Sequence, residues 1–464
     1  MKNDAQREEQ ILQEHLAVAK TGFAALKRIS SFCCIGCGLC ASVCPENSIA
    51  IDDTLKKPVL NGKCSKCGFC YLACPRSFLP LSKINARYFG PEQGEEEQRL
   101  GKFLDLFVSR SRNERIYQNG TPGGTTTALV HFLLEKGYVE AALLTRGKHA
   151  EVRYCMHPLP YIATSAEEVL QSSHSKFELS PVLAKLRELS SFQKSLFVGT
   201  PCHILAFRKL QLIATDHALQ AQMPELARIA EQLTAPVTFV ISINCFLNHT
   251  SMDRAYAWLG IEEKDLVRFN ENVSKALYDK AFAEGKDWRW FFRNNYVTKD
   301  GIERDYDVNQ LGVRVLPSGC LLCNNVIVSK QADACIGFYG AETGTKEVGW
   351  NTVAIMNPGL KEIVDEMVAL GKLERKPVLR GHGRTLRKIL EKLIPALDVM
   401  GVKNYLKTGA WSYPKPLRLA KAPRKTYILG LEVLFLGQTI RRKFFSEGPR
   451  KALKKAGAYM PTVY

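Results

Sequence analysis

Nine of the chain's fifteen cysteines fall between residues 31 and 76, and their spacing is the first thing in the sequence that could do chemistry. The runs CIGCGLCASVCP and CSKCGFCYLACP both follow C-x2-C-x2-C-x3-C-P. The second repeats the first: Cys34, Cys37, Cys40, Cys44 and Pro45 return as Cys64, Cys67, Cys70, Cys74 and Pro75. Three thiolates spaced in this way wrap a tight loop around one iron–sulfur cube, and Gly38 and Gly68 are expected to let the backbone approach the sulfides. Zinc takes separated pairs of ligands rather than four crowded thiols twice over. The N-terminus, MKNDAQREEQILQEHLAVAK, is charged and lacks the apolar core of a secretory signal. Reduced thiols serving as metal ligands, and a cytoplasmic location, are therefore expected.

Residues 31–76 resemble the two-cluster bacterial ferredoxins, in which the fourth cysteine of each run ligates the other cluster. The resemblance implies one 4Fe-4S cluster on Cys34, Cys37, Cys40 and Cys74, and a second on Cys64, Cys67, Cys70 and Cys44. Cys33 falls outside both registers and reads as a small buried residue.

Four further cysteines draw notice, two where strands should end and two in a C-x2-C loop. Cys202 follows LFVG in GTPCHILAFRK, Cys245 closes VTFVISINC, and Cys320 and Cys323 form a C-x2-C in LPSGCLLCNN. Ligands of open α/β sheets bind beyond the carboxyl ends of strands, so these cysteines could converge on one metal. Spacing leaves open whether that metal is zinc or an iron–sulfur cluster. Cys335 sits in an apolar strand and reads as core; Cys155 fits no ligand set. His203, beside Cys202, is read as a helix-surface residue, with proton supply as the alternative. NGTPGGTTTALVHFLLEKG is a glycine turn running into a helix. Its backbone N–H groups and the Thr125 and Thr126 hydroxyls could hold a phosphate, or the threonine could be an ordinary N-cap.

GGTTTAL, HSKF, GTPCHILAFRK, INCF and CLLCNNVIVSKQADACIGFYG occur in that order between residues 103 and 360. The series resembles the coenzyme F420 hydrogenase/dehydrogenase beta-subunit family. The resemblance implies an FAD-binding α/β domain with a nearby 4Fe-4S cluster, acting on coenzyme F420 or another acceptor such as a tetrapyrrole pigment. It implies that Gly123, Gly124, Thr125 and Thr127 contact the flavin, with Ser175 and Lys176 close to it, and that Cys202, Cys245, Cys320 and Cys323 hold a third cluster. TPCH in place of the more usual glutamine, and CIGFYG without a following acidic residue, depart from the family and bear on the substrate.

These motifs need elements to hold them. Residues 1–30 read as a helix from the spacing of Ile11, Leu12, Leu16 and Ala19. SIAIDD and KPVLNG between the cysteine runs read as a short hairpin. FGPEQGEEEQRLG reads as linker. From 103 to 400, buried strands alternate with amphipathic helices. The fold class expected is an α+β ferredoxin-like two-cluster domain followed by an α/β domain with a mostly parallel or mixed sheet. The divisions are a helix at 1–30, the ferredoxin domain at 31–80, a linker at 81–102, the FAD and iron–sulfur domain at 103–400, and a basic tail at 401–464.

That tail carries fourteen Lys and Arg against two Glu, an excess of twelve out of the chain's +18. The rest is nearly balanced, which argues against nucleic acid as a partner. The tail's apolar stretch, TYILGLEVLFLGQTI, is too short to span a bilayer unaided. It reads as peripheral membrane contact, as a packed helix, or as a dock for an acidic redox protein. The function expected is an iron–sulfur flavoprotein oxidoreductase passing electrons between 4Fe-4S clusters and FAD. Its partner would be a ferredoxin or a hydrogenase/dehydrogenase subunit. The alternatives are an adaptor, in which a ferredoxin is fused to an idle binding domain, and a ferredoxin-dependent reductase of another substrate.

Overall fold

The computed structural model describes residues 2–90, 102–120, 123–148, 156–245, 248, 250–270, 283–285, 295–306, 317–321, 331–339 and 349–377. Cys155, Cys323 and the basic tail lie outside these residues, so the expectations for them are not addressed by the fold.

The stretch expected as one N-terminal helix is two, Lys2–Ala19 and Phe23–Cys33. The break falls at Gly22, whose φ is +62° and where a Cβ would lie 2.7 Å from the Lys66 Cα. The turn settles directly on the second cysteine run, which a residue with a side chain would prevent. Each cysteine run closes in one helical turn, Leu39–Ser42 and Phe69–Leu72, opened by left-handed Gly38 and Gly68. A Cβ on Gly38 would meet the Ala184 nitrogen at 2.7 Å, and one on Gly68 the Ala19 carbonyl at 2.5 Å. These glycines therefore make room for neighbouring backbone, where the sequence suggested room for sulfide. Strands β1 (Ile49–Ile51) and β2 (Pro58–Leu60) form the expected antiparallel hairpin between the runs. The segment expected as linker opens with a helix, Leu81–Phe89, whose Ile84 is fully buried.

The second half is built on one eight-stranded sheet. Its strands are β3 (Asp105–Ser111), β4 (Ala141–Gly147), β5 (Pro158–Ala163), β6 (Ser195–Gly199) and β7 (Val237–Ile243). A separate antiparallel sheet holds β8 (Leu266–Asn270), β9 (Asn295–Thr298) and β10 (Glu303–Asp305). Strands β11 (Ala334–Tyr339), β12 (Trp350–Ile355) and β13 (Leu373–Pro377) complete the large one. Its order is β13-β3-β12-β11-β7-β6-β4-β5. The block β11-β7-β6-β4 is parallel. β3 shares that direction through two antiparallel pairings, while β12, β13 and β5 oppose it. The sheet is mixed.

Successive residues of a strand face opposite sides, and here they feed two cores. Leu143 and Phe197 join one, with the helices Pro201–Thr215 and Pro224–Thr234. Ala142, Leu144 and Leu196 join the other, with Thr125–Glu135 and Pro358–Ala369. The first core also takes in Leu12, Ile35, Leu39, Tyr71 and Leu72, so the cysteine-rich half and one face of the sheet share a single apolar interior. The carboxyl ends of β3, β11, β7 and β6 point to one edge, and the loops that carry Gly123, Cys202 and Cys245 leave from it.

Candidate redox site

A pocket of ≈ 410 Å3, its open mouth included, is walled by Cys34, Cys37, Cys40 and Cys74, with Ile35, Leu39 and Arg76 beside them. Three of these thiols come from the first run and one from the second. The swapped set recurs across the repeat: the sulfurs that bear electrostatically on Cys70 are Cys67, Cys44 and Cys64, then Cys74. Cys33 ends its helix and turns Sγ back toward the Ile29 carbonyl at 3.5 Å, into the core.

The chemistry of these donors fits a cationic metal core. Burial pushes the Cys34 thiol up to about 11 and the Cys70 thiol to about 12. Burial, and then the crowding of other sulfurs, raises Cys37 and Cys40 well above the ordinary range. Four crowded thiolates at one pocket, two of them on buried residues, are tolerable only against positive charge, which iron supplies on displacing the protons.

Positive charge also comes from the chain. The Arg76 guanidinium donates to the Gly319 carbonyl at 2.9 Å. Lys209, on the helix Pro201–Thr215, is fully buried. Its Nζ donates to the Cys74 carbonyl at 2.7 Å and the Ser77 hydroxyl at 2.9 Å, and lies 3.9 Å over the Phe78 ring. The sequence reading missed both residues. A signal existed for Lys209: it is a lysine on the apolar stripe of ILAFRKLQLIA, at helical spacing from Leu205 and Leu212.

Of the third cysteine set, Cys202 and Cys320 lie near the first pocket. Gly199 and Ser242 are register partners across β6 and β7, and Cys202 and Cys245 each follow three residues later. Cys202 bears on the Cys37 thiol and sits 3.1 Å from the Thr200 hydroxyl. Cys320 lies on the turn Ser318–Leu321, where a Cβ on Gly319 would meet the Cys34 carbonyl at 2.4 Å. Among the described residues, no three His, Cys, Asp or Glu side chains close on a single ion point. Cys335 is buried with Sγ 3.1 Å from the Asn244 Oδ1, as expected of core.

His203 is not a surface residue. Its Nδ1 accepts from the Thr200 N–H at 3.1 Å, and its Nε2 lies 2.9 Å from the Ser180 carbonyl. Burial lowers its pKa to about 4, so the ring is neutral near pH 7 and acts as a strap.

The glycine loop is folded tightly on β3 and β12. A Cβ on Gly123 would strike the Asn351 Oδ1 at 2.8 Å and the Ser109 carbonyl at 2.9 Å. The Thr125 N–H donates to the Asn351 Oδ1 at 3.0 Å, and the Thr125 hydroxyl to the Ser109 carbonyl at 3.1 Å. Thr125 therefore faces the fold. The loop can still offer an anion the N–H groups of Thr126 and Thr127 in the first turn of the helix. Lys176 is not a solvated charge either: its Nζ donates to the carbonyls of Ser172, Ser173 and His174 at 3.0, 2.7 and 2.9 Å. Ser175 sits between these anchors, half-buried.

Sequence profiles match this architecture in three parts. Residues 26–75 match a 4Fe-4S dicluster domain. Residues 106–187 match the N-terminal part of the coenzyme F420 hydrogenase/dehydrogenase beta subunit, and residues 192–380 its C-terminal part. The chain belongs to the coenzyme F420 hydrogenase/dehydrogenase beta-subunit family. A 4Fe-4S ferredoxin-like domain precedes its α/β domain. The chain is 24% identical over 309 residues to the coenzyme F420 hydrogenase subunit beta of Methanosarcina barkeri, covering 66% of this chain and 88% of that one. It is 25% identical over 325 residues to the coenzyme F420-dependent sulfite reductase of Methanocaldococcus jannaschii, spanning 44% of that protein's length. A chain of the F420-reducing [NiFe] hydrogenase complex from Methanosarcina barkeri shares the fold, with a TM-score of 0.50, 20% identity, and coverage of 65% of this chain and 91% of that one. The family is one of oxidoreductase subunits. Among the described residues, no helix is long and apolar enough to cross a membrane.

Proposed function

We propose that the chain is an iron–sulfur flavoprotein subunit that passes electrons through three 4Fe-4S clusters and FAD to or from a two-electron carrier of the coenzyme F420 type. The observation that carries the reading is the pocket walled by Cys34, Cys37, Cys40 and Cys74, a ligand set that draws its fourth member from the other run. Cys64, Cys67, Cys70 and Cys44 hold the second cluster, and Cys202, Cys245, Cys320 and Cys323 the third. The first-turn N–H groups of the helix Thr125–Glu135 hold the FAD pyrophosphate. Bound clusters supply one-electron transfer, and FAD links it to two-electron chemistry.

The chain's own residues do the rest. Ile35, Leu39 and Leu26 keep water from the first pocket. Lys209 and Arg76 set positive charge against its thiolates. Register across β6 and β7 pairs Gly199 with Ser242, from which the chain leads on to Cys202 and Cys245. The partner expected is a hydrogenase- or dehydrogenase-type subunit, in line with the relatives' printed names.

Anaerobic purification should give about 12 iron atoms and one FAD per chain. Iron near eight with one zinc would remove the third cluster. One observation favours the adaptor reading: the Thr125 hydroxyl and the Lys176 ammonium, both expected near flavin, are spent inside the fold. Full iron with no flavin absorbance would select it.

A further inference from the structure

We propose that the lysine-rimmed face over Cys64 and Cys67 is the docking surface for a small acidic electron-carrier protein. The proposal rests on the iron–sulfur reading of that cysteine set. The two sets are unequally placed. The Cys34 set is closed in by the α/β half: the Leu183 N–H donates to the Cys37 carbonyl, Lys209 reaches the Cys74 carbonyl, and Gly319 lies on Cys34. Each set has two buried and two half-exposed cysteines, but Ser65 and Lys66 between Cys64 and Cys67 are exposed, whereas Ile35 and Gly36 between Cys34 and Cys37 are buried.

Three exposed lysines bracket this opening. Lys63 precedes Cys64, and Lys66 sits inside the run. Lys20 leads into the Gly22 turn, where a Cβ would lie 3.1 Å from the Cys64 sulfur. An apolar strip adjoins them. Val59 and Leu60 on β2 are 41% and 42% exposed. They are tied to Lys63 through Ser48, which accepts from the Asn61 N–H and donates to the Lys63 carbonyl. Residues 15–45 and 54–76 contain no Asp or Glu. Of the three acids in residues 46–53, Asp52 accepts from the Thr54 and Leu55 N–H groups and Asp53 pairs with Lys148 at 3.7 Å, which leaves exposed Glu46 against the three lysines.

An apolar patch with a cationic rim suits a transient partner of opposite charge, which is steered in and readily released. Like charge argues against the chain's own tail, with its excess of twelve positive charges, and against the same face of a second copy. At each encounter one electron crosses between the carrier and the Cys64-set cluster. One is oxidised as the other is reduced, and no proton or group moves.

The test uses the full chain, purified anaerobically, with an acidic bacterial two-cluster ferredoxin as probe. Binding of oxidised ferredoxin is followed by titration calorimetry, and electron transfer from reduced ferredoxin by stopped flow. At an ionic strength of about 0.05 M, Lys20→Glu/Lys63→Glu/Lys66→Glu should weaken both by ~10-fold or more. Wild type and triple variant should converge near 0.5 M, where screening removes the rim. Lys136→Glu/Lys194→Glu/Lys372→Glu, on other exposed positions, should leave both within about twofold of wild type. Equal effects of the two triples, or binding indifferent to salt, would overturn the proposal. Dimerisation of the chain displaced by neither salt nor ferredoxin would assign the face to a second copy and also overturn it. A preparation without iron would remove the cluster reading, while calorimetry would still decide the surface.

Discussion

Lys209 is a fully buried cation whose three hydrogens meet one carbonyl, one hydroxyl and the face of a ring. Burial lowers its pKa to about 7 even though the neighbouring Cys74 pushes the other way. A cluster's negative charge would favour the ammonium further, and the ammonium in turn would favour adding an electron to that cluster. Lys209→Met should therefore lower one cluster's midpoint potential by on the order of tens of mV, seen by EPR-monitored redox titration. No change in any midpoint would show that Lys209 only packs. Cys33 and Cys34 divide as sharply. Cys33→Ser should leave iron content at the wild-type level, because that sulfur faces Ile29, whereas Cys34→Ser should lose about four irons. Adjacent residues could be told apart in sequence because a repeat supplies the register. The partners of Lys209, Lys176 and His203 could not be read, because they are mostly carbonyls whose positions depend on the folded chain, even where the apolar stripe marks Lys209 as buried.

Between elements, the tie most open to titration is Glu178. Its carboxylate meets Lys56, from the hairpin between the cysteine runs, at 2.8 Å, and His157 at 2.9 Å, and it accepts from the Met252 N–H at 2.8 Å. Burial would lower the His157 pKa, but Glu178, Glu263 and Asp253 together outweigh it and the net shift is upward. Burial would raise Glu178, but His157 and Lys56 bring it below the ordinary value. The His157 contribution is therefore complete below its ordinary 6.5 and is lost as pH rises through the raised folded value. That of Glu178 is complete above 4.5 and is lost as pH falls through its lowered one. The junction should be tightest between those limits. Glu178→Gln takes the carboxylate from buried Lys56 and weakens the hold on His157, which keeps Asp253 and Glu263 at 3.3 and 3.6 Å, and should cost about 3 kcal/mol at pH 6 by urea unfolding, and less at pH 8. An equal cost at both pH values would mean that His157 does not take part. The sequence held the parallel strands and the hairpin plainly, because apolar runs and turn residues are local. It did not hold β13 and β5, the opposed direction of β12, or the break at Gly22, which depend on pairing with distant backbone.

In the whole molecule, the cysteine sets form a series from the exposed Cys64 side, through the pocket of Cys34, to Cys202 at the sheet edge. The middle set is also where the two halves meet. Besides Lys209 and Arg76, Arg187 donates to the carbonyls of Ser42 and Cys44 at 2.6 and 2.5 Å, and the Ser42 hydroxyl to the Leu183 carbonyl at 2.6 Å. Backbone that must wrap a cluster is thus also the backbone that docks the sheet. Losing the cluster should loosen both, since buried thiols left protonated and crowded no longer fix the loops. Hydrogen exchange followed by mass spectrometry can check this on protein stripped of iron by chelator under reductant. Amides in 34–45 should lose protection together with those in 181–187 and 318–321, across the junction, while β4 and β5 keep theirs. Exchange confined to residues 31–76 would mean that the junction stands without metal. The α/β half would then be a platform on which the ferredoxin-like domain rests, and the coupling argued from Cys37, Cys74 and Gly319 would fall.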